Sequence, residues 1–122
     1  MKKQLGLLFI VYILLSYTSY SQIKISANEA SNHIGEYAIV TGTVSQVYHS
    51  RGGTCFLDID GDYPNNTFTG VIFKSDSKKF TDVEKYEGKA IELIGTIKEY
   101  NGKPEIILKN DSQIKMVYSS EK

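Results

Sequence analysis

The chain has 122 residues, with 14 Lys+Arg against 14 Asp+Glu, 41% hydrophobic residues, 10 Gly, 2 Pro, one Cys and no Trp. That length and apolar fraction fit one globular domain and exclude a disordered chain, a collagen-like repeat and a coiled coil. A single cysteine, Cys55, accompanied only by His33 and His49, excludes a disulfide scaffold and a zinc domain.

The N-terminus reads as a secretory signal. Lys2 and Lys3 give a positive start, Leu5 to Leu15 is an uncharged and mostly apolar run, and Ser19-Tyr20-Ser21 sets small residues at positions −3 and −1 of a cleavage site. The run is about half of the 20 apolar residues that span a bilayer. The expectation is cleavage after Ser21, one domain over residues 22–122, no membrane association afterwards, and a secreted or periplasmic location. Losing Lys2 and Lys3 leaves a slight acidic excess, whereas a tight, sequence-blind DNA binder is ordinarily basic.

Ser26-Ala27-Asn28-Glu29 has capping-box spacing, which predicts a short helix from Ala27 to His33 with Gly35 as its stop. From Tyr37 to Tyr48 the period becomes two, with Ala38, Val40, Gly42 and Val44 on one face, and Gly42 marks a bend. Arg51-Gly52-Gly53 is a turn, and Thr54 to Asp60 is a second strand with Cys55, Leu57 and Ile59 inward and Phe56 and Asp58 outward. Turn formers fill Gly61 to Asn66, and Thr67 to Lys74 is a third strand. Phe80, Val83 and Tyr86 recur every third residue among charges between Ser75 and Gly88, which predicts a short amphipathic helix or a helical loop. Lys89 to Tyr100 is a fourth strand, Asn101-Gly102 a two-residue hairpin turn, and Lys103 to Lys109 a fifth strand. Ile114, Met116 and Val117 in the tail fit a short extra strand.

Five short strands with glycines inside the first and fourth, and a helical segment between the third and fourth, match a five-stranded Greek-key barrel. Phe56-Leu57-Asp58-Ile59-Asp60-Gly61 resembles the second strand of OB-fold domains of the tRNA-anticodon-binding kind. Tyr37 to Val44 with Gly42, and Gly88 to Ile97 with Gly95, resemble the lead-in to their first and fourth strands. The run from His33 to Ile114 is also similar to small OB modules of secreted bacterial proteins. The fold class expected is therefore all-β with small α content: an OB barrel with an N-terminal helix and a short helix between strands three and four.

The resemblance implies a binding face on the outward surface of strands two and three, flanked by the first-to-second and fourth-to-fifth loops. Phe56 matches the aromatic that stacks on a base in anticodon-binding relatives, a sequence-tolerant contact suited to a single strand. Phe73 shares the outward parity of Thr67, Thr69 and Val71. Tyr48, His49 and Arg51 sit on the first loop, and Lys98, Tyr100 and Lys103 flank the fourth-to-fifth turn. The nucleic-acid-binding set so implied is Phe56, Phe73, Tyr48, Arg51, Thr69, Lys98, Tyr100 and Lys103.

Asp58, Asp60 and Asp62 stand beside that face and repel phosphate. Their alternate spacing matches the first ligands of a calcium loop, but Tyr63 stands where a sharp turn needs Gly and Thr69 where a bidentate Glu belongs, so no metal site is assigned. No nucleophile–base pattern and no phosphate-cradling Gly-rich loop is present, so neither catalysis nor a cofactor is expected. Cys55 has inward parity and reads as a small core residue, and His33 suits the end of its helix. Three functions stay open: an exported non-enzymatic module binding single-stranded nucleic acid or oligonucleotide, a periplasmic domain binding a small molecule, oligosaccharide or cation, and a protein-interaction accessory that pairs through a strand edge or the Ile114 to Tyr118 tail.

Overall fold

The computed structural model describes residues 22–118, so the export segment lies outside the described residues. Among the described residues there are seven strands: β1 (Ile23–Ser26), β2 (Tyr37–His49), β3 (Cys55–Ile59), β4 (Phe68–Ile72), β5 (Ala90–Tyr100), β6 (Lys103–Ile107) and β7 (Ile114–Met116). They follow the order β1-β2-β3-β4-β6-β5-β7, and a further β2–β5 pairing closes β2, β3, β4, β6 and β5 into a ring. β4 runs parallel to β6, and the other pairs in the ring are antiparallel. This is the five-stranded Greek-key barrel of the OB-fold.

Closure depends on the two long strands, each of which changes partner midway. β2 pairs with β5 over Tyr37 to Thr43 and with β3 from Val44 to His49. β5 pairs with β2 over Ala90 to Thr96 and with β6 from Ile97 to Tyr100. The bend in β2 brings Gly42 against the core: a Cβ there would sit 2.3 Å from Ile59 Cγ2, closer than two carbons can approach. Gly95 plays the same part in β5, where a Cβ would lie 2.8 Å from Ile106 Cγ2. Inward residues Val40, Val44, Leu57, Ile59, Phe68, Ile72, Ile91, Leu93, Ile97 and Ile106 fill the barrel.

The expected alternation holds in β3 and β5, and Asn101-Gly102 makes its turn with φ of 51° and 77°, left-handed at both central residues as a tight hairpin requires. The segment Ala27–His33 is helical within the expected bounds but is a 3₁₀ helix, and the Ser26 N–H donates to Glu29 Oε1 at 3.2 Å. Its Ala27 and Ala30 are buried in the core. Between β4 and β5 there are two 3₁₀ turns, Lys74–Lys79 and Val83–Tyr86, rather than one amphipathic helix. Phe80 lies in extended backbone just after the first turn, Val83 and Tyr86 are three apart within the second, where the 3₁₀ repeat sets them on one face, and all three reach the core.

Three features depart from the sequence reading or lie beyond it. β1 adds a parallel edge to β2, from Ile23 opposite Ala38 to Ser26 opposite Thr41. The tail strand forms as β7 but pairs within the chain, with Ile91 to Leu93 of β5, so Ile114 to Met116 are already engaged. β4 ends at Ile72, because the chain turns into the Lys74–Lys79 helix with Phe73 as its N-cap.

Candidate nucleic-acid interface

Strand register sorts the outward side chains of the barrel into two rows. Tyr48 on β2 stands opposite Phe56 on β3, Phe56 opposite Val71 on β4, and Val71 beside Ile107 on β6. One step along the strands, Gln46 stands opposite Asp58, Asp58 opposite Thr69, Thr69 beside Glu105, and Glu105 opposite Lys98 of β5. The first row is apolar and the second polar.

A β-bulge creates this arrangement. Register shifts between Val44 and Gln46, so Ser45 is the extra residue of β2. Strict alternation from buried Val44 would turn Gln46 and Tyr48 into the barrel. The bulge turns both outward and lets Val47 pack against the core.

Tyr48 and Phe56 of the first row and Gln46, Asp58, Thr69 and Glu105 of the second form the floor of a groove of about 660 Å³. Its walls are Tyr63, Pro64 and Asn66 from the β3–β4 loop, and Tyr100, Asn101 and Pro104 from the β5–β6 hairpin. The Tyr48 and Phe56 rings are 6.2 Å apart and tilted by 31°. Lys103 Nζ donates to the Pro64 carbonyl and lies 5.7 Å from the Tyr63 ring centre, which ties one wall to the other. Tyr63 is 75% exposed, and Tyr48 and Tyr100 are also open to solvent.

The β3–β4 loop covers part of the polar row. Asp58 points outward from β3 yet is only 3% exposed, and its Oδ2 accepts the Tyr63 N–H at 3.3 Å. Burial raises the Asp58 carboxyl above its ordinary pKa, and burial does the same to Glu105. Asn66 is 5% exposed, and its Nδ2 donates to the Phe68 carbonyl at 2.9 Å and to Thr69 Oγ1 at 2.7 Å. Its Oδ1 has no partner among the described residues.

Of the residues expected at the interface, Tyr48, Phe56, Thr69, Tyr100 and Lys103 line the groove. Phe73, Arg51 and Lys98 do not. Phe73 loses its strand parity where β4 ends, Arg51 lies in the exposed turn beyond β2, and Lys98 is the outlying member of the polar row. His49 pairs with Glu84 instead. Gln46, Tyr63, Asn66 and Glu105 also line the groove, and the sequence reading assigns none of them to the interface. Alternation would have placed Glu105 outward on the fifth strand, but no local pattern announces a bulge or a loop that folds back over a sheet.

The three aspartates do not converge. Asp60 Oδ1 accepts the Thr43 N–H at 2.9 Å, Asp62 accepts the Ser45 hydroxyl, and Asp58 serves Tyr63. Among the described residues no group of three or more His, Cys, Asp or Glu side chains is placed to hold a metal ion. Cys55 is buried, with its thiol pushed up to about 11 by burial and then by the nearby Glu84 charge.

No protein-family model and no curated protein matches the sequence. Solved structures do match. A Leishmania major Friedlin protein assigned as an aspartyl-tRNA synthetase is similar over 86% of this chain and 23% of its own, at 13% identity and a TM-score of 0.52. An asparaginyl-tRNA synthetase of Entamoeba histolytica matches over 84% of this chain and 25% of its own, at 17% identity and a TM-score of 0.49. The telomere capping protein Ten1 from Saccharomyces pombe matches over 79% and 81%, at 18% identity and a TM-score of 0.44. The chain thus spans about a quarter of the synthetases it matches. At such identities the likeness is one of fold.

Proposed function

We propose that the protein is an exported, non-enzymatic OB-fold module that binds single-stranded nucleic acid in the groove across β2, β3, β4 and β6. The observation that carries this reading is the pair of rows: aromatic faces at Tyr48 and Phe56 beside polar side chains one step along the strands. A base lying on the first row meets hydrogen-bonding groups of the second at its edge. Each stacked base contributes about 1–3 kcal/mol. Tyr63 and Tyr100 on opposite walls offer further faces to neighbouring bases. The fold shared with a protein assigned as a tRNA synthetase is in keeping with this reading. Cleavage after Ser21 would release the module to the periplasm or the medium, and N-terminal sequencing of the exported protein tests that step.

Lys103 is the one cation among the lining residues, against the carboxylates of Asp58 and Glu105. Binding is therefore expected to rest on stacking and base-edge contacts more than on phosphate neutralisation, with a shallow salt dependence. The same composition favours a second reading, a neutral oligosaccharide whose rings stack on the tyrosines. An NMR titration with short single-stranded DNA, repeated with a neutral oligosaccharide as competitor, separates the two. Shifts in Gln46, Tyr48, Phe56 and Thr69 that the DNA causes and the sugar does not reverse support the first; shifts caused by the sugar alone overturn it.

A further inference from the structure

We infer that the groove takes up protons when it takes up a strand: Glu105 and Asp58 oppose phosphate when ionised and cease to when protonated, so affinity for a single strand rises as pH falls. The inference rests on the nucleic-acid reading above and adds to it a control of the same site by pH.

The first observation is the charge of the lining. Asp58 and Glu105 are its two carboxylates and Lys103 its one cation, held against the Pro64 carbonyl. The lining is therefore net negative with both carboxyls ionised and net positive with both protonated. A cavity of about 660 Å³ is on the order of 10 Å across, so a phosphate inside it lies within about one Debye length of both carboxyls at ordinary salt. Neither carboxyl has to touch the strand, because charge acts through that distance.

The second observation is what surrounds the two groups. Glu105 on β6 stands beside Thr69 of β4 and opposite Lys98 of β5, and Asp58 on β3 lies between Thr69 and Gln46 of β2. Asp62 and the Tyr63 N–H face Asp58 from the β3–β4 loop, and Lys103 faces it from β6. Tyr48, Tyr63 and Tyr100 add phenol groups to the lining. Burial raises the Glu105 carboxyl against the Lys98 charge. Burial also raises Asp58, with the Asp62 charge adding to it, against the Tyr63 N–H and Lys103. A bound phosphate raises both further, since a like charge disfavours the ionised form. Binding therefore brings protons with it. Affinity climbs as pH falls through the strand-bound pKa values and levels off below the free ones. His33 and His49 also gain charge on acidification, but they pair with Glu36 and Glu84 outside the lining.

The test is fluorescence polarisation of the purified protein with a short labelled oligothymidylate between about pH 8 and about pH 5, at fixed ionic strength. Thymine and the phosphodiester gain no proton in that range, so the ligand stays constant. Affinity should rise by about tenfold on acidification, one proton taken up being worth at most about tenfold per pH unit. E105Q, which cannot ionise at that position, should bind more tightly than wild type at the upper end and gain less on acidification, and D58N/E105Q should gain least. D111N, which removes a carboxylate outside the lining, should follow wild type. The carboxyl carbon resonances of Glu105 and Asp58, followed against pH with and without oligothymidylate, need no variant, and their midpoints should rise when the strand is bound. Affinity that stays level or falls on acidification, a D58N/E105Q protein that keeps the wild-type gain, a D111N protein that loses it, or midpoints that the strand does not move overturn the inference and leave the nucleic-acid reading standing. Binding at no pH overturns that reading itself, and this inference with it.

Discussion

Replacing Gly42 by alanine should destabilise the barrel through one contact. The added Cβ falls 2.3 Å from Ile59 Cγ2 and 3.3 Å from both Asp60 carboxylate oxygens. Apolar carbons rest at about 3.5–4.0 Å, so the overlap with Ile59 exceeds about 1 Å. Ile59 is fully buried and pairs with Val44 across the bend, so relief requires an unfavourable rotamer or a displaced strand. Overpacking of this kind costs about 1–3 kcal/mol. At about 2 kcal/mol the midpoint should fall by about 10 °C in a domain of this size. Circular dichroism melts of G42A, I59A and the double variant check the cause. Removing the Ile59 side chain clears the space, so the double variant should lose less than the sum of the two by about 1–2 kcal/mol. An unchanged midpoint in G42A, or strict additivity, would refute the account of how β2 bends.

Asp58 gives a pH-dependent prediction. Its folded pKa is raised by burial, so the associated stabilisation is complete below the ordinary carboxylate range and is lost as pH rises through the folded value. At neutral pH the ionised group is thus a burden. D58N keeps an oxygen for the Tyr63 N–H and should resist urea better than wild type, with the gap closing on acidification; a less stable variant at neutral pH contradicts the cause given. Cys55, with its thiol at about 11, should react with a thiol reagent at neutral pH far more slowly in the native protein than after denaturation. For binding, Y48A should weaken an oligonucleotide by about 1–3 kcal/mol, while F73A, outside the groove, should leave affinity unchanged in the same polarisation assay.

How much was legible follows the range of the interactions. The Asn101-Gly102 turn could be read because its two left-handed residues are a local demand. Cys55, Leu57 and Ile59 could be read as core because a strand with one buried face alternates. The bulge at Ser45 could not, since period two carries no mark of the residue at which it slips, and the outward placement of Gln46 and Tyr48 depends on that slip. Alternation alone places Phe73 on the outward face, but β4 ends one residue earlier, at Ile72. β1 is four residues long and owes its place to a parallel partner distant in sequence. Gly61 to Asn66 reads as turn formers, which it is; that it folds back over Asp58 and buries Asn66 is a tertiary outcome.

The central claim is that the outward aromatic row binds single-stranded nucleic acid, and its most direct test is the affinity of wild type and F56A for labelled single-stranded DNA and RNA at low and at physiological salt. The account predicts binding that weakens only modestly with salt and falls by about 1–3 kcal/mol in a folded F56A. No binding by wild type at low salt, or equal affinity in F56A, would contradict it.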